Sequence, residues 1–191
     1  MNLSELRDII RSEADIQGLR EYQNLIDNLI NQEMQRFTAK GKFPELIEEF
    51  SFSFVDDMTS KLEIPVDFQS LQSLTYYPQT VEQGIPLGGG TSFGFYQNFG
   101  GSPKFYTRIG NSFYVYPYSN TLIGDSLKLT YYKKPEMLLD TDELQVPILE
   151  TAIVQAVMGR MLSKVDTNRA QLAKAEANRA FIDARAQTMG S

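Results

Sequence analysis

Cysteine, histidine and tryptophan are all absent from this 191-residue chain. Without cysteine the chain has no thiol nucleophile and cannot build a disulfide framework. Without cysteine and histidine it also lacks the usual zinc ligands and an imidazole base. Only sites built from carboxylates remain conceivable. We therefore predict a protein that is not an enzyme and that uses no cofactor and no metal.

Positive charge is also scarce, because 18 Lys and Arg residues stand against 24 Asp and Glu residues. The formal net charge of −6 argues against a protein that wraps duplex DNA with a basic surface. This net charge does not exclude that DNA passes nearby without being tightly bound. The N-terminus carries no basic region followed by an apolar run, so we expect no signal peptide, no membrane segment and synthesis in the cytoplasm.

A largely apolar stretch runs from Pro147 to Ser163, and its apolar side chains cover almost every side of a 3.6-residue helix. The stretch is too short to cross a bilayer, whose hydrocarbon core needs ~20 apolar residues. Glu150, Gln155 and Arg160 also interrupt it. We predict that it forms the buried axial helix of a helical bundle.

The first 42 residues are typical of two helices. Ser4 is a suitable N-cap for the first helix. Apolar residues from Leu19 onward then follow helical spacing until Gly41 ends the second helix. Glu33 falls within the apolar arc of that second helix. We interpret it as a carboxylate that reaches solvent or pairs with an arginine, with a functional buried acid as the alternative.

The last helix, predicted from Asn168 to about Thr188, carries two apolar arcs on roughly opposite sides. A terminal helix of a monomer needs only one apolar face. Two faces indicate that one packs on its own bundle and the other meets another subunit, unless the alanines are simply good helix formers. Small residues in the first arc permit close helix packing. The first arc consists of Ala170, Ala173, Ala177, Ala180, Phe181 and Ala184, and the second of Leu172, Ala175, Ile182 and Ala186.

Between these helices the apolar period changes to two residues. Phe50, Phe52 and Phe54 alternate with serines, which predicts a strand with one buried face. The pair Gly110-Asn111 separates two aromatic segments and predicts a hairpin turn. We count five or six short antiparallel strands in this region.

The chain as a whole is thus predicted to be α+β. We expect a helical bundle, made of N-terminal helices plus two long C-terminal helices, with an inserted small antiparallel β sheet or sandwich lobe. Residues 1–42 are assigned to the N-terminal helices, residues 43–135 to the β lobe, and residues 136–191 to a linker and the two C-terminal helices.

A segment rich in glycine and aromatic residues, 83–103, lies inside the β lobe. Its run of three glycines is followed by neither a Lys-Ser/Thr pair nor a helix start, so a phosphate-binding loop is not indicated. We interpret the segment as a long loop that becomes ordered against a neighbour. Its aromatic anchors would be Phe93, Phe95, Tyr96 and Phe99.

The region from Leu129 to Arg185 resembles the closing region of tailed-phage head-to-tail adaptor (connector) proteins of the tail tubular protein A type. In both, a strand ending in Tyr-Tyr-Lys-x-Pro leads through an acidic linker into two antiparallel helices, the second rich in alanine. The segment LEIPVDFQSLQSLTYYP, from Leu62 to Pro78, and the hairpin FYTRIGNSFYVYP are similar to strands of the same group. The resemblance covers more than half of the chain, and the glycine-rich segment departs from it.

This resemblance implies a virion structural protein, made in the host cytoplasm, that forms a dodecameric ring between the portal and the distal tail or nozzle. Its partners would be the portal protein and a tail nozzle or tail tube protein, without a membrane. Double-stranded DNA would pass through the ring without sequence-specific binding. The tail-facing loop would present Phe93, Phe95, Tyr96 and Phe99, and the subunit or portal interface would comprise Leu172, Ala175, Arg179, Ile182, Ala186 and Met189.

Two other functions remain as alternatives. A carboxylate-dependent wall hydrolase could use Glu48 or Glu49 with Asp56 or Asp57, although these pairs are more simply solvated turn residues. A monomeric module could instead bind a sugar or a host ligand by stacking on tyrosines. The tyrosines available for stacking are Tyr76, Tyr77, Tyr96, Tyr106, Tyr114, Tyr116, Tyr118, Tyr131 and Tyr132.

Overall fold

The structure, a computed structural model, describes residues 1–14, 23–53, 61–76, 79–83, 103–116 and 126–189. The chain divides into a helical unit, Met1–Leu46 with Lys134–Ser191, and a β unit, Ile47–Lys133. Helices and two small sheets occupy separate parts of the chain, which confirms the predicted α+β class.

The described part of the helical unit contains four α-helices and three short 3₁₀ turns. The α-helices are α1 (Leu3–Ala14), α2 (Gln23–Lys40), α3 (Glu150–Met161) and α4 (Thr167–Met189). The 3₁₀ turns are Pro44–Leu46, Pro147–Leu149 and Leu162–Lys164. The last two turns flank α3, so the predicted axial helix is α-helical only in its central part.

Helix α3 lies at the centre of the helical unit. It contacts α1, α2 and α4, and the core side chains of all four helices form one cluster. The segment Ala152–Gly159 is buried except for Gln155, which is half-buried. Burying an aliphatic side chain stabilises a fold by about 1.5 to 3 kcal/mol. The prediction of a buried axial helix is therefore confirmed.

The starts of α1 and α4 are fixed by side chains that accept backbone hydrogen bonds. Asn2 Oδ1 accepts from the N–H of Glu5, and Glu5 Oε2 accepts from the N–H of Asn2, both at 2.9 Å. This reciprocal pair is a capping box, so Asn2 is the N-cap of α1 and the prediction of Ser4 was wrong. At α4, Asp166 Oδ1 accepts from the N–H of Arg169 at 3.0 Å.

The linker, residues 134–146, is held against α1 and α2 by polar contacts. The Asn31 side chain accepts a hydrogen bond from the N–H of Leu138 at 2.7 Å and donates one to the Leu138 carbonyl at 3.3 Å. The N–H of Leu144 donates to the carbonyl of Met1 at 2.9 Å. These bonds satisfy backbone groups of an irregular segment that would otherwise be left unpaired on the core.

Arg7 joins the same linker to both N-terminal helices. Its Nε and one terminal nitrogen donate to the two carboxylate oxygens of Asp27 at 2.8 and 2.9 Å, and it also pairs with Asp140. The bonds to Asp27 raise the pKa of the Arg7 guanidinium above its ordinary value, so the group stays charged although it is buried.

The β unit contains eight described strands in two four-stranded sheets. The first sheet has the order β1-β8-β3-β4 and the second the order β2-β7-β6-β5. All pairs are antiparallel except β5 with β6. The strands are β1 (Ile47–Ser53), β2 (Lys61–Glu63), β3 (Phe68–Tyr76), β4 (Gln79–Thr80), β5 (Glu82–Gln83), β6 (Phe105–Ile109), β7 (Ser112–Tyr116) and β8 (Ser126–Lys133).

Two details of the β prediction differ from the structure. The prediction of five or six strands was too low, because β4 and β5 have only two residues each and carry no periodicity. Phe50 is 45% exposed although Phe52 is buried, so the predicted buried face of β1 is incomplete. The hairpin between β6 and β7 turns at Gly110 with φ of 60°, a conformation that glycine adopts easily.

Aromatic rings form much of the β core. The Phe68 ring lies 5.5 Å from that of Tyr131 and 5.7 Å from that of Phe113, and the rings of Tyr106 and Phe113 are 5.4 Å apart. The Tyr131 hydroxyl donates to Asp67 Oδ1 at 3.0 Å. Burial, together with this carboxylate, raises the pKa of Tyr131 from 10.0 to about 12.

The raised pKa predicts an alkaline loss of stability. Unfolded Tyr131 loses its proton near pH 10 and folded Tyr131 near pH 12, so between these values the folded state holds more protons. Its contribution is complete below about pH 10 and falls by about 2 to 3 kcal/mol as the pH rises to about 12. Urea unfolding at increasing pH should show this decline.

In the Tyr131→Phe variant the alkaline decline should be shallower, because this ring can no longer ionise. Tyr114→Phe, which alters a half-buried ring on β7, is the control and should keep the decline. An equally steep decline in the wild type and in Tyr131→Phe would contradict the role of Tyr131.

Arg7→Met should lower the free energy of unfolding by about 2 to 4 kcal/mol, because it leaves the Asp27 carboxylate without its buried partner. Adding Asp27→Leu should restore most of the loss, since the unpaired charge is then gone. Arg11→Met, on the same helix, removes only an exposed 3.5 Å pair with Asp8 and should cost about 1 kcal/mol or less. Equal losses for Arg7→Met and Arg11→Met in urea unfolding would refute this account.

Candidate assembly surface

Helix α4 presents one face to the helical unit and leaves the opposite face uncovered. The buried face consists of Ala170, Ala173, Ala177, Phe181 and Ala184, which all belong to the first predicted arc. The second arc lies on the side that we call the outer face of α4. All six residues predicted for the interface are exposed there: Leu172, Ala175, Arg179, Ile182, Ala186 and Met189. Their role as an interface stays a prediction.

The outer face is more apolar than a solvated helix surface needs to be. Leu172, Ile182 and Met189 are 61%, 64% and 71% exposed. Single exposed apolar side chains are common on monomers. Here, however, the three share with Ala175 and Ala186 an arc of about 100° on one helix, at 3.6 residues per turn. Grouped apolar residues of this kind are typical of surfaces that contact another protein.

Close packing of α3 on α4 fixes the direction of the outer face. A Cβ atom added to Gly159 would lie 2.8 Å from Cγ of Lys174 and 3.2 Å from the carbonyl oxygen of Ala170. Only glycine therefore allows the two helices to approach so closely at this point. Further along α4, the ring of Phe181 lies 5.0 Å from the ring of Phe37 on α2. Helix α4 is thus packed against the rest of the helical unit from Ala170 to Ala184, which leaves its outer face pointing away from the core.

A pocket of about 170 Å³ opens beside α4, which we call the cationic pocket. Residues of three helices line it: Arg36 from α2, Ala156 and Arg160 from α3, and Lys174, Ala177 and Asn178 from α4. Two of its cations pair with a buried carboxylate, because Glu33 Oε2 lies 2.7 Å from Arg36 and Glu33 Oε1 lies 3.0 Å from Arg160. The interpretation of Glu33 as the partner of an arginine is confirmed.

No local sequence pattern points directly to this pocket. Arg36, Arg160 and Lys174 are far apart in the chain and meet only because α2, α3 and α4 pack together. The one available clue was Glu33, a carboxylate within an apolar arc that must find a cation once buried.

The carboxylates proposed for a hydrolase do not form a cleft in the described part of the chain. Glu48 and Glu49 are exposed neighbours on β1, and they pair with Lys133 at 3.2 Å and Lys128 at 2.7 Å. Asp56 and Asp57 lie outside the described residues. Within those residues, no group of three or more acidic side chains is placed to hold a metal ion.

The tyrosines proposed for ligand stacking are mostly part of the β core. Tyr106, Tyr116, Tyr131 and Tyr132 are buried, while Tyr76 and Tyr114 are half-buried. None of the tyrosines that the structure describes is exposed. Tyr77 and Tyr118 lie outside the described residues, and so do the predicted anchors of the tail-facing loop, Phe93, Phe95, Tyr96 and Phe99.

The described helices also bear on membrane insertion. Within the residues that the structure describes, none of the helices combines the length and the apolar character that crossing a membrane requires. Even α3, the most apolar of them, has only 12 residues.

Sequence comparison adds one positive finding. A protein-family model described as SU10 adaptor protein matches residues 1–191. No curated protein matches the chain.

Proposed function

We propose that this chain, which belongs to the SU10 adaptor protein family, forms a head-to-tail adaptor ring that links the portal to the distal tail or nozzle. Family membership supports the coarser role, that of a virion structural adaptor which associates with other virion components. The observation that carries the proposal of a ring is the outer face of α4. This face is largely apolar, it belongs to a helix that packs against the helical unit, and it is exposed in the single chain.

Ring formation by copies of this chain would cover that face. The interface would include Leu172, Ala175, Arg179, Ile182, Ala186 and Met189, with the portal as the other partner of the same helical unit. Exposed leucine, isoleucine and methionine side chains at these positions gain free energy when a neighbour removes them from water. A closed ring requires one surface of each copy to bind a different surface of the next copy. A dodecamer is the stoichiometry that we propose.

An acidic protein suits a channel through which DNA must slide. The net charge of −6 disfavours many simultaneous contacts to phosphates. Each such contact strengthens binding, and contacts that strengthen binding also slow movement along DNA. We propose that the ring forms part of the DNA channel and contacts DNA without sequence specificity.

The β unit is the part that we propose to face the tail. Its eight described strands make two small sheets with an aromatic core, and residues 84–104 connect β5 to β6. Phe93, Phe95, Tyr96 and Phe99 in that connection would contact the nozzle or tube protein. No catalytic step is part of this proposal, because the family supports a structural role.

Mixing the purified chain with the portal protein of the same virion should give a stable ring-shaped complex. Light scattering after size-exclusion chromatography should report one copy of the chain for each portal subunit, because the portal templates the ring. The chain alone is the control. A chain that is folded by circular dichroism but forms no complex with the portal would contradict the adaptor role.

Ile182→Glu and Leu172→Glu should each leave the chain folded and prevent ring closure on the portal. Both side chains are exposed in the single chain, so the folded state loses little, whereas a buried unpaired charge costs several kcal/mol, roughly, at each subunit contact. Val165→Glu, at a side chain that is 77% exposed outside α4, is the matched control and should assemble normally. Normal rings with both α4 variants would show that another surface forms the interface.

A further inference from the structure

The cationic pocket contains more positive charge than the described residues of its own chain neutralise. Arg36, Arg160 and Lys174 line it, and Glu33 is the carboxylate that pairs with the two arginines. Lys174 forms no ion pair with any residue in the described part of the chain. Asn178 adds an amide group to the lining. Three cations around one buried carboxylate leave room for a second anionic group.

The pocket borders directly on the outer face of α4. Asn178 and Ile182 are four residues apart, so they are neighbours on one side of the helix. On the far side of the apolar arc lie Glu176 and Asp183, which we call the acidic edge. Both are exposed, and neither forms an ion pair with another described residue. The outer face therefore has a cationic border, a largely apolar centre that also contains the exposed Arg179, and an acidic border.

We propose that the cationic pocket binds a carboxylate from the acidic edge, Glu176 or Asp183, of a second copy of this chain. This inference rests on the proposed ring and names the contact that joins its subunits. Lys174 would then gain the partner that the described part of its own chain does not supply, and the same contact would cover part of the apolar centre.

Charge complementarity favours a second copy over DNA. A phosphate backbone needs several cations in a row, whereas this pocket is bordered by apolar residues and, beyond them, by Glu176 and Asp183. Those carboxylates would repel DNA and attract another cationic pocket. Opposite charges at matched positions also select the partner and its register.

The proposed pairing can repeat from copy to copy, because each copy carries one pocket and one acidic edge. Each copy uses its pocket toward one neighbour and its acidic edge toward the other, so binding one copy leaves both kinds of site available at the ends. Such head-to-tail contacts close into a ring when the rotation between copies allows it.

Disulfide trapping can test the pairing, because the natural chain contains no cysteine. Asn178→Cys places a thiol at the pocket, and Glu176→Cys or Asp183→Cys places one on the acidic edge. A pocket variant and an edge variant, carrying tags of different size, are mixed and oxidised, and the dimers are separated on a non-reducing gel. The heterodimer should exceed either homodimer by about tenfold in at least one mixture, as expected for close charge pairs at an interface.

Charge reversal provides the matched control. Lys174→Glu, added to the pocket variant, should return the dimers to the statistical ratio of random pairing. Lys164→Glu changes the charge equally at an exposed lysine outside the pocket and should leave the heterodimer dominant. Random pairing in both mixtures, or a heterodimer excess that survives Lys174→Glu, would overturn the inference. A portal complex that forms despite such a result would leave the adaptor role standing, whereas a missing portal complex would refute that role itself.

Discussion

Burial of α3 from Ala152 to Gly159 is the constraint on which the helical unit depends. Because its apolar side chains leave almost no surface for water, three other helices must each contribute one apolar face to cover it. Arg160, near the end of α3, is one of the side chains that leave the core, and it pairs with Glu33 on α2. The same residue lines the cationic pocket. Helix α3 thus contributes both to the core packing and to the cationic pocket beside α4.

The elements with strong periodicity could be predicted from the sequence, and those decided by tertiary contacts could not. The axial helix and the buried arc of α4 follow directly from helical spacing. The cap of α1 did not, because Ser4 and Asn2 are both good N-caps. Asn2 takes the position where the chain also bridges to Glu143 of the linker. Phe50 matches its strand period but remains exposed. Alternation shows which residues share a face of a strand, but it does not show whether another element packs against that face.

The candidate surface was predictable in part for the same reason. A helical wheel identifies the outer face of α4, since all its residues belong to one element. The cationic pocket joins Arg36, Arg160 and Lys174 from three helices, and no local pattern relates them. Gly159 is a second residue whose role no local sequence pattern predicts. Its sequence context is that of an ordinary helix interior, where glycine is unfavourable, and its value appears only when α4 packs against it.

The pairing of β1 with β8 has a consequence for how this protein can change over evolution. Ile47 lies opposite Tyr132 in the first sheet, so the two ends of the β unit are adjacent strands, roughly 5 Å apart. An inserted segment whose ends meet in this way can be lengthened, trimmed or replaced by an unrelated segment while the host chain keeps its course. The β unit could then be exchanged as a module while the helical unit keeps its fold.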